Sequence, residues 1–226
     1  MRPYYEHAGI TIYHGDCREI LPTLSAPAII TDPVWPRPTK LLAASGDPWQ
    51  LFREMCEAIP ASVLRMTVHL GVISDPRFLF PVPERLPFFR VCWLAQIPCS
   101  FVGRVLNGAN VAYIFGQPPA GTGILPGECL DTGGGTYRNG LGRNRSQKAY
   151  HAVRSEMPHP AARRLGHLRW LVKHFAGGPV IDPFGGSGTT ALACKAQGWP
   201  CTLIEIEERY CEVAAERLQQ EVLGPW

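Results

Sequence analysis

Pro179-Val180-Ile181-Asp182-Pro183-Phe184-Gly185-Gly186-Ser187-Gly188-Thr189-Thr190 decides the fold class of this 226-residue chain. Pro179 to Asp182 reads as a short buried strand and Phe184 to Thr189 as a loop. Thr190 to Gln197 reads as a helix broken at Gly198. Further on, Cys201 to Ile206 reads as a second strand ending near Glu205, and Glu207 to Leu223 as a final helix. A βαβα unit of this kind brings its strands together in parallel through a right-handed crossover. The expectation is an α/β, doubly wound and mostly parallel sheet.

Upstream segments fit the same plan. Gly9 to Gly15 reads as a strand delivering Asp16, and Cys17 to Leu24 as a short helix cut near Pro22. Ala28-Ile29-Ile30-Thr31 is apolar on both faces, as a buried parallel strand should be, and ends at Asp32. Pro33, Pro36 and Pro38 then forbid regular structure. Pro48 to Ile59 has helical spacing with Asp47 as its cap, and Val63 to Val72 reads as a strand. Phe88 to Leu94 and Val111 to Phe115 are strand candidates on either side of an irregular piece, expected to form an antiparallel hairpin at one edge of the sheet. Residues 117–157 read as a long loop or insertion within a single domain spanning 1–226, and Ala161 to Phe175 as a helix.

The composition, 46% apolar and 18% charged, is that of an ordinary globular chain. Neither a signal-peptide core nor a run of roughly 18 apolar residues is present, so the chain is expected to be cytoplasmic, without a membrane partner. Eight cysteines at 17, 56, 92, 99, 129, 194, 201 and 211 form no C-x-x-C pair, which argues for reduced, buried thiols and no metal site. Net charge is +3 but uneven. Nine Lys or Arg stand against Glu156 between Tyr137 and Lys173, whereas six glutamates outnumber two arginines after Cys201. A basic stretch beside an acidic one suits a phosphate-facing surface with a solvated back.

The glycines of 185–188 let the backbone approach a ligand that a Cβ would obstruct, and the following helix amides favour a carboxylate or phosphate. Glu205, at the end of the next strand, is suited to grip the two hydroxyls of a ribose. These features point to a nucleoside cofactor, either a dinucleotide or S-adenosylmethionine. A G-x-G-x-x-G fingerprint is missing, and Thr189 stands where a P-loop would have lysine.

Asp182-Pro183-Phe184-Gly185-Gly186-Ser187-Gly188-Thr189-Thr190 resembles the cofactor motif of DNA amino-methyltransferases, which modify adenine N6 or cytosine N4. Thr31-Asp32-Pro33-Val34-Trp35-Pro36 resembles their catalytic motif. The order, catalytic before cofactor, is that of the permuted β-type enzymes, and His14-Gly15-Asp16 and His159-Pro160 resemble flanking motifs. The resemblance implies a Rossmann-like methyltransferase fold and S-adenosylmethionine as cofactor. It also implies that Asp182, Gly185, Gly186, Ser187, Gly188 and Thr189 meet the amino-acid part of that cofactor, and Glu205 its ribose. Asp16 would approach the adenine amine and Phe184 would line the pocket; Asp16 could equally be a helix cap and Phe184 plain core.

An exocyclic amine is a poor nucleophile because its lone pair is delocalised into the ring. A carboxylate and a backbone carbonyl accepting its two hydrogens draw the nitrogen towards tetrahedral geometry. Asp32 and the Pro33 carbonyl are the expected acceptors, and Trp35 the ring on which a flipped base stacks. The family's usual turn is D-P-P followed by an aromatic residue; Val34 replaces the second proline, which bears on the stiffness of the turn. Asp in first place favours adenine by resemblance, with cytosine the alternative.

Arg138, Arg143, Arg145 and Lys148, interleaved with Asn, Gln and Gly, are candidates for contacts to double-stranded DNA. So small an insertion suits a short recognition site, a homodimer or a partner protein. Three rival readings stand beside this one: transfer to RNA or a protein amide, a DNA-binding module weakened by Val34, and a nicotinamide oxidoreductase.

Overall fold

The structure, a computed structural model, describes residues 2–34, 47–69, 81–102, 105–121, 123–129 and 163–219. Nine strands among them form one sheet: β1 (Tyr5–His7), β2 (Ile10–His14), β3 (Ala28–Thr31), β4 (Arg65–His69), β5 (Phe88–Val102), β6 (Val105–Gly116), β7 (Glu128–Cys129), β8 (Val180–Asp182) and β9 (Cys201–Glu205). Their spatial order is β1-β2-β9-β8-β3-β4-β6-β5-β7. The middle five, β2, β9, β8, β3 and β4, run parallel to one another, and β6 joins antiparallel to β4.

Helices cover both faces. α1 (Cys17–Ile20) and α2 (Pro48–Glu57) pack on one side, where Cys17, Ile20, Phe52 and Met55 meet Ile29, Met66, Val68 and Ile204. α3 (Leu165–Leu171), α4 (Thr189–Gln197) and α5 (Glu208–Gln219) pack on the other, where Leu168, Ala191, Cys194 and Ala214 meet Ile30, Val180 and Leu203. The chain moves one way along the sheet from β3 to β4 and the opposite way from β8 to β9. Right-handed crossovers in opposite directions necessarily put their helices on opposite faces. The doubly wound α/β fold with an antiparallel element towards one edge is therefore present as expected.

Local signals explain several boundaries. Asp47 caps α2 by accepting from Trp49 N at 3.0 Å, with Pro48 at the first helical position. Gly198, with φ of +70°, ends α4 by donating to Lys195 O. α1 stops after Ile20 and continues as a 3₁₀ turn, Leu21–Thr23, around Pro22.

Three expectations are corrected. The described residues between Leu94 and Val111 are strand: β5 runs on to Val102 and β6 begins at Val105, with Ser100 opposite Asn107 and a register shift between Ala95 and Ser100. A bulge absorbs the mismatch that makes Pro98 look like a break. The described part of 117–157 is not all loop, since it holds β7, which pairs parallel with Trp93 and Leu94 of β5; residues 130–157 lie outside the described residues. The 161–175 helix starts at Leu165 and widens to a π turn over Val172–Ala176, ending at Gly177 with φ of +61°. Seven of the cysteines are buried free thiols, and no metal-binding cluster occurs among the described residues. No helix among the described residues is long and apolar enough to cross a membrane.

Candidate active site

The direction of winding reverses between β8 and β3, and strands that diverge there leave a crevice beyond their carboxyl ends. The two motifs flank that crevice. Asp182 ends β8 and Asp32 follows β3 directly. Thr31 Oγ1 donates to Asp182 Oδ1 at 2.9 Å, tying two segments 151 residues apart in sequence.

Asp182 is almost entirely buried, and both its oxygens are engaged. Besides Thr31, Oδ1 accepts from Phe184 N at 3.1 Å, and Oδ2 accepts from Thr190 Oγ1 at 2.6 Å. The carboxylate thus spans the loop, holding its first residue and the start of α4 to the neighbouring strand. Burial pushes its pKa up to about 6; these three hydrogen bonds oppose the rise, and the nearby Asp32 charge adds to it.

Within the loop, two glycines are required by protein packing. A Cβ on Gly188, where φ is +79°, would lie 2.9 Å from Ala214 Cβ of α5. One on Gly185 would lie 3.0 Å from Leu203 Cβ and 3.3 Å from the Ile204 carbonyl. The loop therefore lies flat against β9 and α5, which leaves its opposite side for a ligand. Arg217 of α5 fixes this seat: its guanidinium donates to the Ser187 carbonyl, to Ser187 Oγ at 3.0 Å and to Thr189 Oγ1 at 3.4 Å. Ser187 and Thr189 thus turn their hydroxyls to Arg217. Phe184 is half-buried and packs against the core on the α1/α2 side.

Glu205 ends β9 beside the loop. Its Oε2 accepts from Gly186 N at 2.7 Å and its Oε1 from Glu207 N at 2.9 Å, while burial raises its pKa. A carboxylate offers about four lone-pair positions, so these bonds orient Glu205 with acceptor capacity remaining. Gly15 N donates to Glu205 O at 2.9 Å, which sets Asp16 next to it. Asp16 caps α1 through Arg18 N at 2.9 Å and is also gripped by the Arg18 guanidinium, which holds its carboxyl below the usual range. Arg18 also reaches Glu54 of α2 at 2.5 Å. The ends of β2, β9 and β8 thus present Asp16, Glu205 and the flat glycine loop in a row. That donor set fits an adenosine with an amino-acid tail: acceptors for an amine and for ribose hydroxyls, then helix amides for a carboxylate.

On the acceptor side, Asp32 forms an ion pair with Arg163, which lies two residues before α3; the side chains are 21% and 13% exposed. Pro33 is buried and Val34 half-buried. Trp35, the proposed DNA contacts Arg138, Arg143, Arg145 and Lys148, and His159-Pro160 lie outside the described residues. Sequence reasoning missed Arg163, Arg217, Thr31 and Thr190 as site residues. Thr31 and Thr190 stand within the two motifs without a role of their own, Arg163 as one positive charge among nine, and Arg217 as one of two arginines after Cys201.

A sequence profile for a family described as DNA methylase matches residues 138–216, from the proposed recognition segment through the glycine loop into α5. The Type II methyltransferase M.ScaI of Streptomyces caespitosus is 25% identical across 97% of this chain and 84% of its own length. The chain is thus similar to DNA methylases over residues 138–216, and to a Type II methyltransferase over nearly its whole length. The Type II methyltransferase M.SmaI of Serratia marcescens is 41% identical over 56 residues, 25% of this chain and only 19% of that protein, so the likeness there is local. Among solved structures, the PvuII cytosine-N4-specific DNA methyltransferase superposes with a TM-score of 0.67 at 17% identity, covering 99% of this chain and 91% of that one. The M1.HpyAVI–SAM complex superposes at 0.62 and 21% identity, covering 93% and 99%. At such identities these superpositions speak to the methyltransferase fold.

Proposed function

We propose that the chain is an S-adenosylmethionine-dependent DNA amino-methyltransferase that moves a methyl group onto adenine N6 of a base flipped out of double-stranded DNA. The observation that carries the reading is the Thr31–Asp182 hydrogen bond at the switch point, with Asp32 and the glycine loop on its two sides. S-adenosylmethionine, when bound, supplies an electrophilic methyl on a sulfonium. The chain's own residues bind, orient and polarise. Glu205 takes ribose hydroxyls, Asp16 the adenine amine, and Asp182 with Gly185, Gly186, Ser187, Gly188 and Thr189 shapes the seat of the amino-acid tail beside Phe184.

Asp32 accepts one hydrogen of the target amine and the Pro33 carbonyl the other, which localises the nitrogen lone pair. Trp35 stacks on the extruded base and offsets part of the few kcal/mol that unpairing and unstacking require. Most of the acceleration then comes from alignment and fixed dipoles. Arg138, Arg143, Arg145 and Lys148 take phosphates and base edges, and pairing of two copies would widen the contact for so short a segment.

The test is transfer of labelled methyl from S-adenosylmethionine into unmethylated genomic DNA, followed by nucleoside analysis. The expected product is N6-methyladenine, and Asp32→Ala is expected to abolish it. N4-methylcytosine would replace the base assignment alone. Equal transfer by the variant would remove Asp32 from its role, and transfer confined to RNA or protein would refute the proposal.

A further inference from the structure

Asp16, the acceptor expected to meet the adenine amine, is held more firmly than a helix cap requires. Its Oδ1 accepts from Arg18 N at 2.9 Å, which by itself caps the first turn of α1. The Arg18 side chain then folds back on the same carboxylate. Nε lies 2.9 Å from Oδ1 and 3.0 Å from Oδ2, and Nη2 lies 2.5 Å from Oδ2. The far end of the fork is anchored as well: Nη1 donates to Glu54 Oε2 of α2 at 2.5 Å, and Glu54 Oε1 accepts from Gln50 Nε2 at 2.8 Å. A guanidinium pinned at both ends has little freedom to swing, and its planar fork sets the plane of the carboxylate it grips.

Stability does not account for this arrangement. The Arg18 side chain is 44% exposed, and ion pairs so open to water contribute little to folding. Asp16 stands at the carboxyl end of β2 beside Glu205, since Gly15 N donates to Glu205 O. There the fork has a chemical consequence. An ionised carboxylate has about four lone-pair positions, two on each oxygen. Backbone N and Nε fill those of Oδ1, with Nε shared towards Oδ2, and Nη2 takes one of Oδ2. One position on Oδ2 remains. It can only accept, because hydrogen bonding to Arg18 lowers the Asp16 pKa and keeps the carboxyl ionised. Such an acceptor suits a ligand with an N–H to give and repels one that presents a carbonyl oxygen.

We propose that Arg18 is the positioning residue for the cofactor's base: by fixing the Asp16 carboxylate with one Oδ2 position open, it makes the site select an amino purine over an oxo purine. Arg18 acts through Asp16, touches no reacting atom, and no covalent bond changes. The inference rests on the function proposed above, in which Asp16 takes the adenine amine. Without the guanidinium, Asp16 keeps its bond from the backbone amide of residue 18. Its carboxyl then turns about the Cβ–Cγ bond and takes a proton more readily, so that it can also donate to a carbonyl.

The experiment uses the whole chain as wild type, Arg18→Met, Arg18→Lys and Asp16→Asn. Calorimetry gives the Kd of S-adenosylhomocysteine and of S-inosylhomocysteine, which carry an amine and an oxo group at the same purine carbon. The ratio of the two constants is the readout, since partial unfolding of a variant weakens both ligands alike. Wild type is expected to prefer the amino ligand about 10- to 100-fold, the scale of one hydrogen bond to a charged acceptor. Arg18→Met is expected to cut that ratio at least about fivefold, mainly through weaker binding of S-adenosylhomocysteine. Arg18→Lys keeps a positive charge without the planar fork, and its ratio is expected to stay within about twofold of that of Arg18→Met. A ratio unchanged in Arg18→Met, whether or not both ligands weaken together, or full selectivity in Arg18→Lys would overturn the proposal. Asp16→Asn is expected to lose the preference too; wild-type selectivity in that variant would take Asp16 off the amine and remove the reading beneath the proposal. Failure of the wild type to bind S-adenosylhomocysteine would remove the methyltransferase reading itself, whereas selectivity that depends on Asp16 but survives loss of Arg18 overturns this inference alone.

Discussion

Asp182→Asn tests how the glycine loop is built. On folding, the Asp182 carboxyl moves from an ordinary 3.8 to about 6, burial being the first cause. Since the folded value lies above the unfolded one, the folded chain holds more protons between about pH 4 and pH 6, and stability falls as pH rises through that window. With 1.36 kcal/mol for each pH unit, the ionised side chain costs about 3 kcal/mol above pH 6. Asparagine has the shape of the protonated acid. Its Oδ1 keeps the bonds from Thr31 Oγ1 and Phe184 N, and its amide can donate to the Thr190 hydroxyl that now donates to Oδ2. The variant is therefore expected to be more stable than wild type at pH 8, by up to about 3 kcal/mol, and to lose that advantage by pH 4. Urea midpoints of both proteins at half-unit intervals between pH 4 and pH 8 measure it. A constant difference across the range, or a less stable variant at pH 8, would refute the account of Asp182 as a buried brace. S-adenosylmethionine titration of the same variant adds a separate result: weaker binding at raised stability assigns Asp182 a ligand contact too.

Three other outcomes are expected. Gly188→Ala combines a left-handed backbone with a Cβ 2.9 Å from Ala214 Cβ, and should destabilise by about 2–4 kcal/mol in denaturant melts. Arg217→Met removes the guanidinium from Ser187 and Thr189 and should weaken S-adenosylmethionine binding measured by calorimetry, with about 1–3 kcal/mol lost in stability; unchanged affinity would mean that the loop holds its shape unaided. Arg143→Glu with Arg145→Glu should lower DNA affinity and flatten its dependence on salt in fluorescence anisotropy, while an unchanged slope would move the phosphate contacts elsewhere on the chain.

Much of the centre was legible because it is written locally. Ala28 to Thr31 and Pro179 to Asp182 are apolar enough to be buried on both faces, and Gly185 to Gly188 can only be a turn. The periphery was harder. β7 is two residues long and is held by Trp93 and Leu94, so no periodicity could reveal it. β1 pairs Tyr5, Glu6 and His7 with β2 at the sheet margin, where exposed polar residues look like a tail. β5 contains Pro98 and β6 contains Gly108, breakers by composition that a register shift between Ala95 and Ser100 accommodates within the paired strands.

The sequence by itself determined the parallel core, the glycine loop, the carboxylates at strand ends and the order of the two motifs, since each depends on residues close together in the chain. Tertiary structure alone decided that Arg163 sits on Asp32, that Arg217 seats Ser187 and that Thr31 braces Asp182. Those pairings join groups that are distant in the chain and have no local preference for one another. They form only because burial in a common crevice removes the water that would otherwise satisfy them.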